Sequence, residues 1–482
     1  MTEHIPKEIL EIYNKFQDAG FEVYFVGGCV RNLLMEKEIK DWDFTTNATP
    51  EQILNLFPNG FYDNKFGTVG IPVELFGKKH TVEVTTFRTE HEYFDRRHPK
   101  IVKWGKSIEE DLSRRDFTVN AIALKIEYTA SVIASKAKQS PKDGIASSPA
   151  QRVPRNDNKS IIVDPFGGQQ DIKDKIIRSV GDPKQRFKED ALRLIRAIRI
   201  ATEHGFTIEN KTWEEIISDA QLIREISGER VRIELLRILA SKHPYDGIML
   251  LKNSSLLQYI LPELLEGIGV SQVRPGRHHT SDVFMHNILS LKFCPSVDPI
   301  VRFATLLHDV GKPKVEKKDE KGLVIFHNHE IVGAHMVGEI CNRLRFSRKD
   351  RDKIVNLIRW HMFTVDEKIT DAAVRRFIRR VGITSVKDMM DLRIGDRLGG
   401  GTQTAESWRL KLFKKRIEEQ LKPAPFSIND LSVDGNDIMK ELNIKPGPKV
   451  GEILQKLFEE VDEDLSKNNK EYLLERIKEI IS

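Results

Sequence analysis

The spacing of apolar residues changes once along the chain, at about Pro183. From there to the C-terminus, successive segments repeat apolar residues at i and i+3 or i+4, which predicts helices. Before Pro183, β-branched and aromatic runs such as Val23–Val26 alternate with helical stretches and Gly-containing turns. The sequence therefore predicts an α+β protein, with an N-terminal head of mixed β-sheet and helices followed by an all-α neck, body and tail.

The 482 residues leave room for about three domains, and composition suggests their limits. We predict a head over residues 1–180, a helical neck over 181–270, a helical body over 271–422 and a helical tail over 423–482. The body is set apart by histidine, because eight of the 14 lie between His278 and His361. A Pro-rich break at Lys422–Pro425 marks the start of the tail.

Residues 129–159 differ in composition from the rest of the head. They hold five Ser, five Ala and three Pro, and six Lys or Arg against two Asp give them a charge of 6 − 2 = +4. Such a stretch cannot bury enough apolar surface to offset its ordering entropy, which favours a disordered surface insertion. A basic flap that touches RNA is the alternative.

Composition excludes several classes of protein. Hydrophobic residues make up 39% and charged residues 31%, so a core can form, and no apolar run approaches the roughly 18 residues of a membrane span. The three cysteines are too few for a disulfide framework, and the first residues do not resemble an export signal. We expect a cytoplasmic protein without a membrane partner. Its net charge of +5 permits a nucleic-acid partner.

The first chemical signal is GGCVRN at 27–32 followed by DWDF at 41–44. Side chains alternate along a strand, so Asp41 and Asp43 are predicted to share one face, about 7 Å apart. Two such carboxylates can hold the divalent cations of a phosphoryl transfer, and the turn at Gly28 suits a triphosphate. An Asp-x-Asp pair alone is usually a solvated turn. Glu83, on the next strand, either completes this metal site or only holds Arg88 or a nearby loop.

Four further motifs follow in order: RRDFTVNA (114–121), DPFGG with Asp171 (164–171), RFKEDALRLIRAIR (186–199) and ISGERVRIEL (226–235). Together with the first, they resemble class II tRNA nucleotidyltransferases of the polymerase β superfamily, the CCA-adding enzymes and their poly(A) polymerase relatives. The resemblance covers about residues 25–265. One departure is Asn32, where the family usually carries Asp, so an acceptor is kept and a charge is lost.

The resemblance implies template-independent addition of CCA to the 3′ end of tRNA from CTP and ATP, by two-metal phosphoryl transfer with Mg²⁺ on Asp41 and Asp43. Relatives that add only A, only CC or a poly(A) tail share these motifs and stay alternatives. Nucleotide contacts are implied for Gly28, Arg31, Arg114, Asp116, Asn120, Asp190, Arg193 and Arg196. Supporting roles are implied for Glu83, Arg88, Arg230, and Asp95 and Arg96 of a flexible loop. For the arginine pair at 114–115, a surface salt-bridge network is the alternative.

Asp190 and Arg193 are predicted to lie three residues apart on one helix and to share a face. An ordinary intrahelical ion pair is one interpretation. The other is base selection: cytosine and adenine each present an amino donor beside a ring-nitrogen acceptor, whereas uracil and guanine present the reverse. A fixed acceptor beside a fixed donor would accept C and A, because a mismatched polar partner in a desolvated site is costly.

The histidine-rich body carries a second signal. His286, then His308-Asp309, then Asp396 follow the order seen in HD-domain phosphohydrolases, which this region resembles. Imidazole and carboxylate ligands suit a transition metal that activates water. The candidates for extending the site to a second metal are His329, His335 and His361. His279 is the candidate for facing a substrate. A metal-dependent phosphohydrolase with a vestigial transferase head therefore stays an alternative, as does a scaffold for tRNA. The oligomeric state, monomer or homodimer, stays open.

Overall fold

A computed structural model describes residues 2–62, 68–93, 99–105, 107–128, 158–272, 281–363, 365–421 and 427–481. The chain forms two compact units, residues 1–226 with 253–256, and residues 227–252 with 257–482. We refer to them as the first and second units. The finer division into head, neck, body and tail stays a prediction. Within the described residues, no helix has both the length and the apolarity needed to cross a membrane.

A seven-stranded mixed sheet forms the centre of the first unit, as predicted. Its strand order is β3-β4-β5-β2-β1-β8-β9, and the β2–β5 pair is parallel while the other neighbours are antiparallel. The strands are β1 (Val23–Val26), β2 (Asp43–Thr46), β3 (Phe61–Tyr62), β4 (Thr68–Leu75), β5 (Lys78–Thr86), β6 (Arg88–Tyr93), β7 (Pro99–Trp104), β8 (Ala123–Tyr128), β9 (Asn158–Val163), β10 (Ile176–Ile177) and β11 (Thr207–Ile208). The β6–β7 and β10–β11 pairs stand outside this sheet.

The helices of the first unit flank these strands. They are α1 (Lys7–Asp18), α2 (Gly28–Leu34), α3 (Pro50–Leu56), α4 (Ile108–Ser113), α5 (Gly168–Asp174), α6 (Pro183–Glu189), α7 (Leu192–His204) and α8 (Asn210–Ser218). Helix α1 buries its apolar face on the sheet, where the Tyr13 ring stacks on Phe25 at 5.1 Å between centroids. Burial of each such side chain stabilises the fold by about 1.5–3 kcal/mol, so this face fixes the sheet that carries the site.

Strand β9 corrects the limits predicted for the insertion. Asn158 pairs with Tyr128 and Lys159 with Glu127, so both residues belong to the β8–β9 ladder. The strand therefore begins two residues earlier than composition indicated. The remaining part of the predicted insertion, residues 129–157, lies outside the described residues.

The second unit is almost entirely helical. Its helices are α9 (Gly228–Ala240), α10 (Pro244–Asn253), α11 (Leu257–Ile260), α12 (Pro262–Leu265), α13 (Val283–Phe293), α14 (Pro299–Leu307), α15 (Lys312–Val315), α16 (His329–Arg343), α17 (Arg348–Trp360), α18 (Asp371–Val381), α19 (Val386–Gly399), α20 (Trp408–Gln420), α21 (Gly435–Leu442), α22 (Pro448–Glu463) and α23 (Lys470–Ile481), with one small hairpin, β12 (Lys317–Lys318) and β13 (Val324–Ile325). Helices α13 and α19 approach closely because Gly399 leaves no side chain against Ser290.

Candidate functional site

Three acidic residues, Asp41, Asp43 and Glu83, lie close together where the interior strand β2 begins, and we call this group the acidic edge. Asp43 opens β2, and in the parallel β2–β5 pair its register partner is Glu83. Burial, together with the negative charges of Glu83 and Asp41, raises the pKa of Asp43 to about 6. A divalent cation bound here would offset the repulsion between these carboxylates and so stabilise the site.

The placement of Asp41 corrects one prediction. Strand β2 begins at Asp43, so Asp41 is an exposed residue of the preceding loop and is not part of the strand. The two residues interact through charge instead. Glu83 stands next to Asp43, whereas the side chain of Arg88 lies outside the described part of the chain, as do Asp95 and Arg96.

The turn after β1 lies against this acidic edge. Gly27 adopts φ +75°, a left-handed conformation that favours glycine, and directly precedes α2. A Cβ built on Gly27 would lie 3.9 Å from the Asp43 Oδ2 and 3.0 Å from the Arg115 Nη1. The backbone at the turn is thus close to both a carboxylate and a guanidinium, and Gly28 follows as the first residue of α2.

A chain of side-chain hydrogen bonds connects α2 to α7. The Arg31 guanidinium donates to the Asn32 Oδ1 at 3.0 Å and to the Asn120 Oδ1 at 2.5 Å. The Asn120 amide donates to the Asp116 Oδ1 at 3.2 Å, and Arg196 donates to the Asp116 Oδ2 at 2.6 Å. Burial alone would raise the pKa of Asp116, but Arg196 and the hydrogen bonds hold it well below its usual range. Four residues predicted to contact the nucleotide are therefore parts of one network.

Asn32 keeps the acceptor role that the family's Asp would have. Its Oδ1 also accepts from the Arg31 Nε at 3.2 Å, while its amide donates to the backbone oxygen of Glu38 at 3.1 Å. A carboxylate has no N–H for the second bond. The substitution therefore preserves the contact with Arg31 and adds one with the loop that leads to Asp41.

The DPFGG motif, whose role the sequence left undefined, supports this network. A Cβ on Gly168 would collide with the backbone oxygen of Thr118, so only glycine allows α5 to pack there. The Thr118 hydroxyl donates to the Asp171 Oδ2 at 2.6 Å, and Arg178 donates to the same carboxylate. Since Thr118 and Asn120 lie in one 3-10 turn, the motif fixes the segment that carries Asn120.

Asp190 and Arg193 do not lie on one helix, contrary to the prediction. The chain leaves α6 at Glu189, and Asp190 is extended, with φ −143° and ψ 104°, before α7 begins at Leu192. The Asp190 Oδ1 accepts from the Leu192 amide at 3.0 Å and so caps α7. A capping aspartate competes with helix continuation, which explains the break.

Arg193 is buried, and its guanidinium donates hydrogen bonds to three groups other than Asp190. Its guanidinium donates to the Glu189 Oε2 at 2.7 Å, to the Arg186 backbone oxygen at 3.0 Å and to the Arg114 backbone oxygen at 3.0 Å. It therefore joins α6, α7 and the RRDFTVNA segment. Arg230, by contrast, lies on α9 in the second unit.

In the second unit, four predicted ligands converge in the interior. The Nε2 atoms of His286 and His308 are 3.2 Å apart. Asp309 Oδ2 lies 3.3 and 3.4 Å from them, and Asp396 Oδ1 lies 3.3 and 3.6 Å from them. Burial would raise the pKa of Asp309, yet the charges of His308 and Lys312 hold it well below its usual range.

A second pair of histidines faces the other oxygen of the same aspartate. His329 and His361 approach to 3.3 Å between Nε2 atoms, and the Asp309 Oδ1 lies 3.2 and 3.6 Å from them. Asp309 therefore stands between two histidine pairs. His335 is not part of this cluster: it is 78% exposed and pairs with Glu339, since six residues along α16 turn it away from His329. His279 lies outside the described residues.

The hydrogen bonds of the Nδ1 atoms fix the orientation and the tautomer of these imidazoles. In three of them Nδ1 faces the carbonyl oxygen three residues earlier: His308 to Thr305 at 2.8 Å, His329 to Phe326 at 2.8 Å, and His361 to Ile358 at 2.7 Å. A carbonyl only accepts, so each Nδ1 carries the proton and a neutral ring has its Nε2 lone pair facing inward. Converging lone pairs and carboxylate oxygens fit a metal ion.

Comparison with known proteins agrees with the geometry of the first unit. Three family models match: "Poly A polymerase head domain" over residues 23–135, "Probable RNA and SrmB- binding site of polymerase A" over 205–267, and "tRNA nucleotidyltransferase domain 2 putative" over 314–477. The mixed sheet with its acidic edge and glycine turn is thus that of a nucleotidyltransferase.

Among similar curated proteins is the A-adding tRNA nucleotidyltransferase of Deinococcus radiodurans, 34% identical over 73% of this chain and 75% of its own length. The chain belongs to the tRNA nucleotidyltransferase and poly(A) polymerase family. The CCA-adding enzyme of Geobacillus sp. (strain WCH70) is 38% identical over 53% of this chain, and the match spans about half, 54%, of its length. The solved CCA-adding enzyme of Bacillus stearothermophilus, in complex with CTP, has the same fold, with a TM-score of 0.68 at 24% identity over 98% of this chain and 97% of that one.

Proposed function

We propose that this protein adds C, C and A to the 3′ end of tRNA, using CTP and ATP without a nucleic-acid template. The observation that carries the proposal is the acidic edge at Asp43 and Glu83, lying against the Gly27 turn and the Arg115 guanidinium. A CCA-adding enzyme and an A-adding tRNA nucleotidyltransferase are among its relatives. The mild excess of basic residues is compatible with tRNA.

The acidic edge fits Mg²⁺, because its donors are carboxylate oxygens whose burial and mutual repulsion raise the pKa of Asp43. Asp41 and Asp43 would hold the ion, with Glu83 completing the set. When bound, it would supply charge neutralisation at the reacting phosphate and a lower pKa for the attacking 3′-hydroxyl. The arginines beside the turn would bind the phosphates, since guanidinium groups pair with phosphate oxygens bidentately.

Base selection is assigned to Asp190 and Arg193, as the resemblance implies. A carboxylate acceptor and a guanidinium donor complement the amino group and ring nitrogen of cytosine and adenine. The contacts of Arg193 with Glu189 and Arg114 support this role, because they hold the donor in a buried position, 8% exposed. A rigid donor discriminates better than a mobile one.

The product ladder tests the whole proposal and separates it from the alternatives. Purified protein is incubated with tRNA lacking CCA or with tRNA that ends in CC, with CTP alone, ATP alone or both, and with Mg²⁺. Complete CCA with both nucleotides, and CC with CTP alone, is the expected result. Addition of A only to a tRNA that already ends in CC would make it an A-adding enzyme, and long A tracts a poly(A) polymerase. The absence of any addition would refute the proposal.

A second function is proposed for the second unit: a metal-dependent phosphohydrolase site at the histidine–aspartate cluster. The specific observation is the convergence of two histidine pairs on the two oxygens of Asp309. Mixed imidazole and carboxylate donors fit a transition metal. His286, His308, Asp309 and Asp396 would hold one ion, and His329 and His361 would help to hold another. Such an ion would lower the pKa of a bound water.

Two measurements test this second site. Elemental analysis of the purified protein should find a transition metal, and cyclic and linear phosphodiester and phosphomonoester substrates should be hydrolysed only when it is present. A protein that holds no transition metal, even after incubation with Mn²⁺, Ni²⁺ or Co²⁺, would exclude the site. Metal without hydrolysis would leave the cluster as a structural centre.

A further inference from the structure

Asp111 is a fully buried carboxylate in the first unit, on the short helix α4. Its side chain is 0% exposed, and it lies three and four residues before Arg114 and Arg115. The Asp111 Oδ1 accepts from the Arg114 Nε at 3.1 Å and Nη2 at 2.6 Å, and its Oδ2 accepts from the Arg115 Nη2 at 3.0 Å. One carboxylate therefore engages two guanidinium groups.

The charge state of Asp111 is set by these two partners. Burial alone would raise its pKa, but the charges and hydrogen bonds of Arg114 and Arg115 hold the pKa below its ordinary value. A buried carboxylate is costly to maintain unless it is paired, and here each oxygen serves a different arginine. Each guanidinium has five N–H donors, so both arginines keep donors beyond those directed at Asp111.

Arg115 extends from Asp111 to the acidic edge. Its Nη1 lies 3.0 Å from a Cβ built on Gly27, and its positive charge lowers the pKa of Asp43. On the other side, the backbone oxygen of Arg114 accepts from Arg193 at 3.0 Å. The arginine pair thus lies between the residues proposed to hold the metal and the residue proposed to read the base.

We infer that Asp111 is a positioning residue for nucleotide binding: it orients the guanidinium of Arg115, and with it Arg114, toward the triphosphate. This inference rests on the proposed nucleotidyltransferase function. Without the carboxylate, two long side chains would have to be ordered by the incoming nucleotide, which lowers affinity. Because the effect falls on the phosphates, it acts equally on CTP and ATP and leaves the choice of base unchanged.

Asp111→Asn tests this inference in the full-length protein, with Glu109→Gln, an exposed carboxylate of the same helix, as the matched control. The expected result is a rise in KM for both CTP and ATP of about ten- to a hundredfold, in line with the loss of charge-assisted hydrogen bonds. The ratio of CTP to UTP incorporation and the affinity for tRNA should stay at wild-type values. Inhibition by inorganic tripolyphosphate, which lacks a base, should weaken by a similar factor.

Arg115→Gln provides a second route if Asp111→Asn does not fold, as judged by a cooperative melting curve. It should raise KM in the same way, since it removes the group that Asp111 positions. Where Asp111→Asn does fold, combining it with Arg115→Gln should not multiply the two effects. Unchanged KM in folded Asp111→Asn, altered base choice, or multiplying effects would overturn the inference. If wild-type protein adds no nucleotide, the proposed function itself fails; if it does add and Asp111→Asn behaves like Glu109→Gln, only this inference fails.

Discussion

The acidic edge of the first unit and the histidine–aspartate cluster of the second differ in how their carboxylates are balanced. At the acidic edge, Asp43 faces other carboxylates, and its pKa is raised to about 6. In the cluster, Asp309 and Asp396 face imidazoles and both have pKa values well below the usual range. The first arrangement offers only carboxylate oxygens, which suit Mg²⁺, whereas the second adds imidazole nitrogens, which suit a transition metal.

The sharpest test of this comparison is Asp43→Ala. Loss of a metal ligand at the reacting phosphate removes several kcal/mol of transition-state stabilisation, so nucleotide addition should fall roughly a thousandfold or more. Binding of tRNA should change little. Primer-extension rates and tRNA affinities measure both. Addition within a few-fold of wild type would show that Asp43 is not a metal ligand.

Asp43→Asn should stabilise the metal-free fold at neutral pH. The folded-state pKa of Asp43, about 6, lies above its ordinary value of 3.8, so the ionised carboxylate destabilises the metal-free fold as pH rises from about 4 to above 6. The neutral variant should therefore melt at a higher temperature than wild type at pH 7 in EDTA, and the gain should disappear at pH 4. A lower melting temperature at pH 7 would mean that Asp43 is favourably paired.

The double substitution His308→Ala and Asp309→Ala should disable the cluster and leave the acidic edge working. We expect transition-metal content and any phosphohydrolase activity to fall to background, while nucleotide addition persists. A lower melting temperature is also expected, because bound metal stabilises the folded state. His335→Ala, an exposed histidine outside the cluster, is the control. If the folded double variant lost nucleotide addition, addition by the first unit would depend on the cluster in the second.

The two regions also differ in how far the sequence could predict them. Strand β1 and the glycine turn follow from a short run of adjacent residues, so β1 and the α+β class are confirmed. The break at Asp190 was missed, because helical periodicity continues across it and only the cap on Leu192 ends the pattern. Asp111 carried no local signal, and the DPFGG motif marked Gly168 without showing its role, since both roles depend on contacts with Arg115 and Thr118.

The cluster required tertiary packing that spacing does not encode. Its ligands spread from His286 to Asp396, and the apolar spacing along α19, which carries Asp396, does not show which helix it packs against. That helix lies where it does because Gly399 admits Ser290 of α13. His335 shows the reverse error: a histidine close in sequence faced away. Residue type therefore indicated which side chains were candidate metal ligands, but it did not show which of them take part in the cluster.

Asp190→Ala tests whether base selection can be lost while the acidic edge stays intact. Incorporation of UTP relative to CTP should rise roughly tenfold or more, since a mismatched partner is no longer rejected. Arg193→Ala should lower the rate as well, because its guanidinium also holds Glu189 and Arg114. Lys188→Ala, exposed on α6, is the control. Uniform slowing with unchanged selectivity would leave Asp190 only a helix cap.

The smallest effect is expected from replacing residues 129–157 with Asn-Gly. Tyr128 and Asn158 are register partners in the β8–β9 ladder, so a two-residue turn can join them without shifting any pair. Addition should stay within a few-fold of wild type, and the metal content of the cluster should not change. A matched variant that also removes Asn158 moves β9 by one residue and exchanges its two faces. Ile162 and Val163, which pack against different apolar clusters, would then lose their partners, so this variant should melt at a lower temperature. If the first variant loses affinity for tRNA while melting normally, the replaced segment is a basic flap that contacts RNA, and the first unit binds its substrate through more than the acidic edge and its arginines.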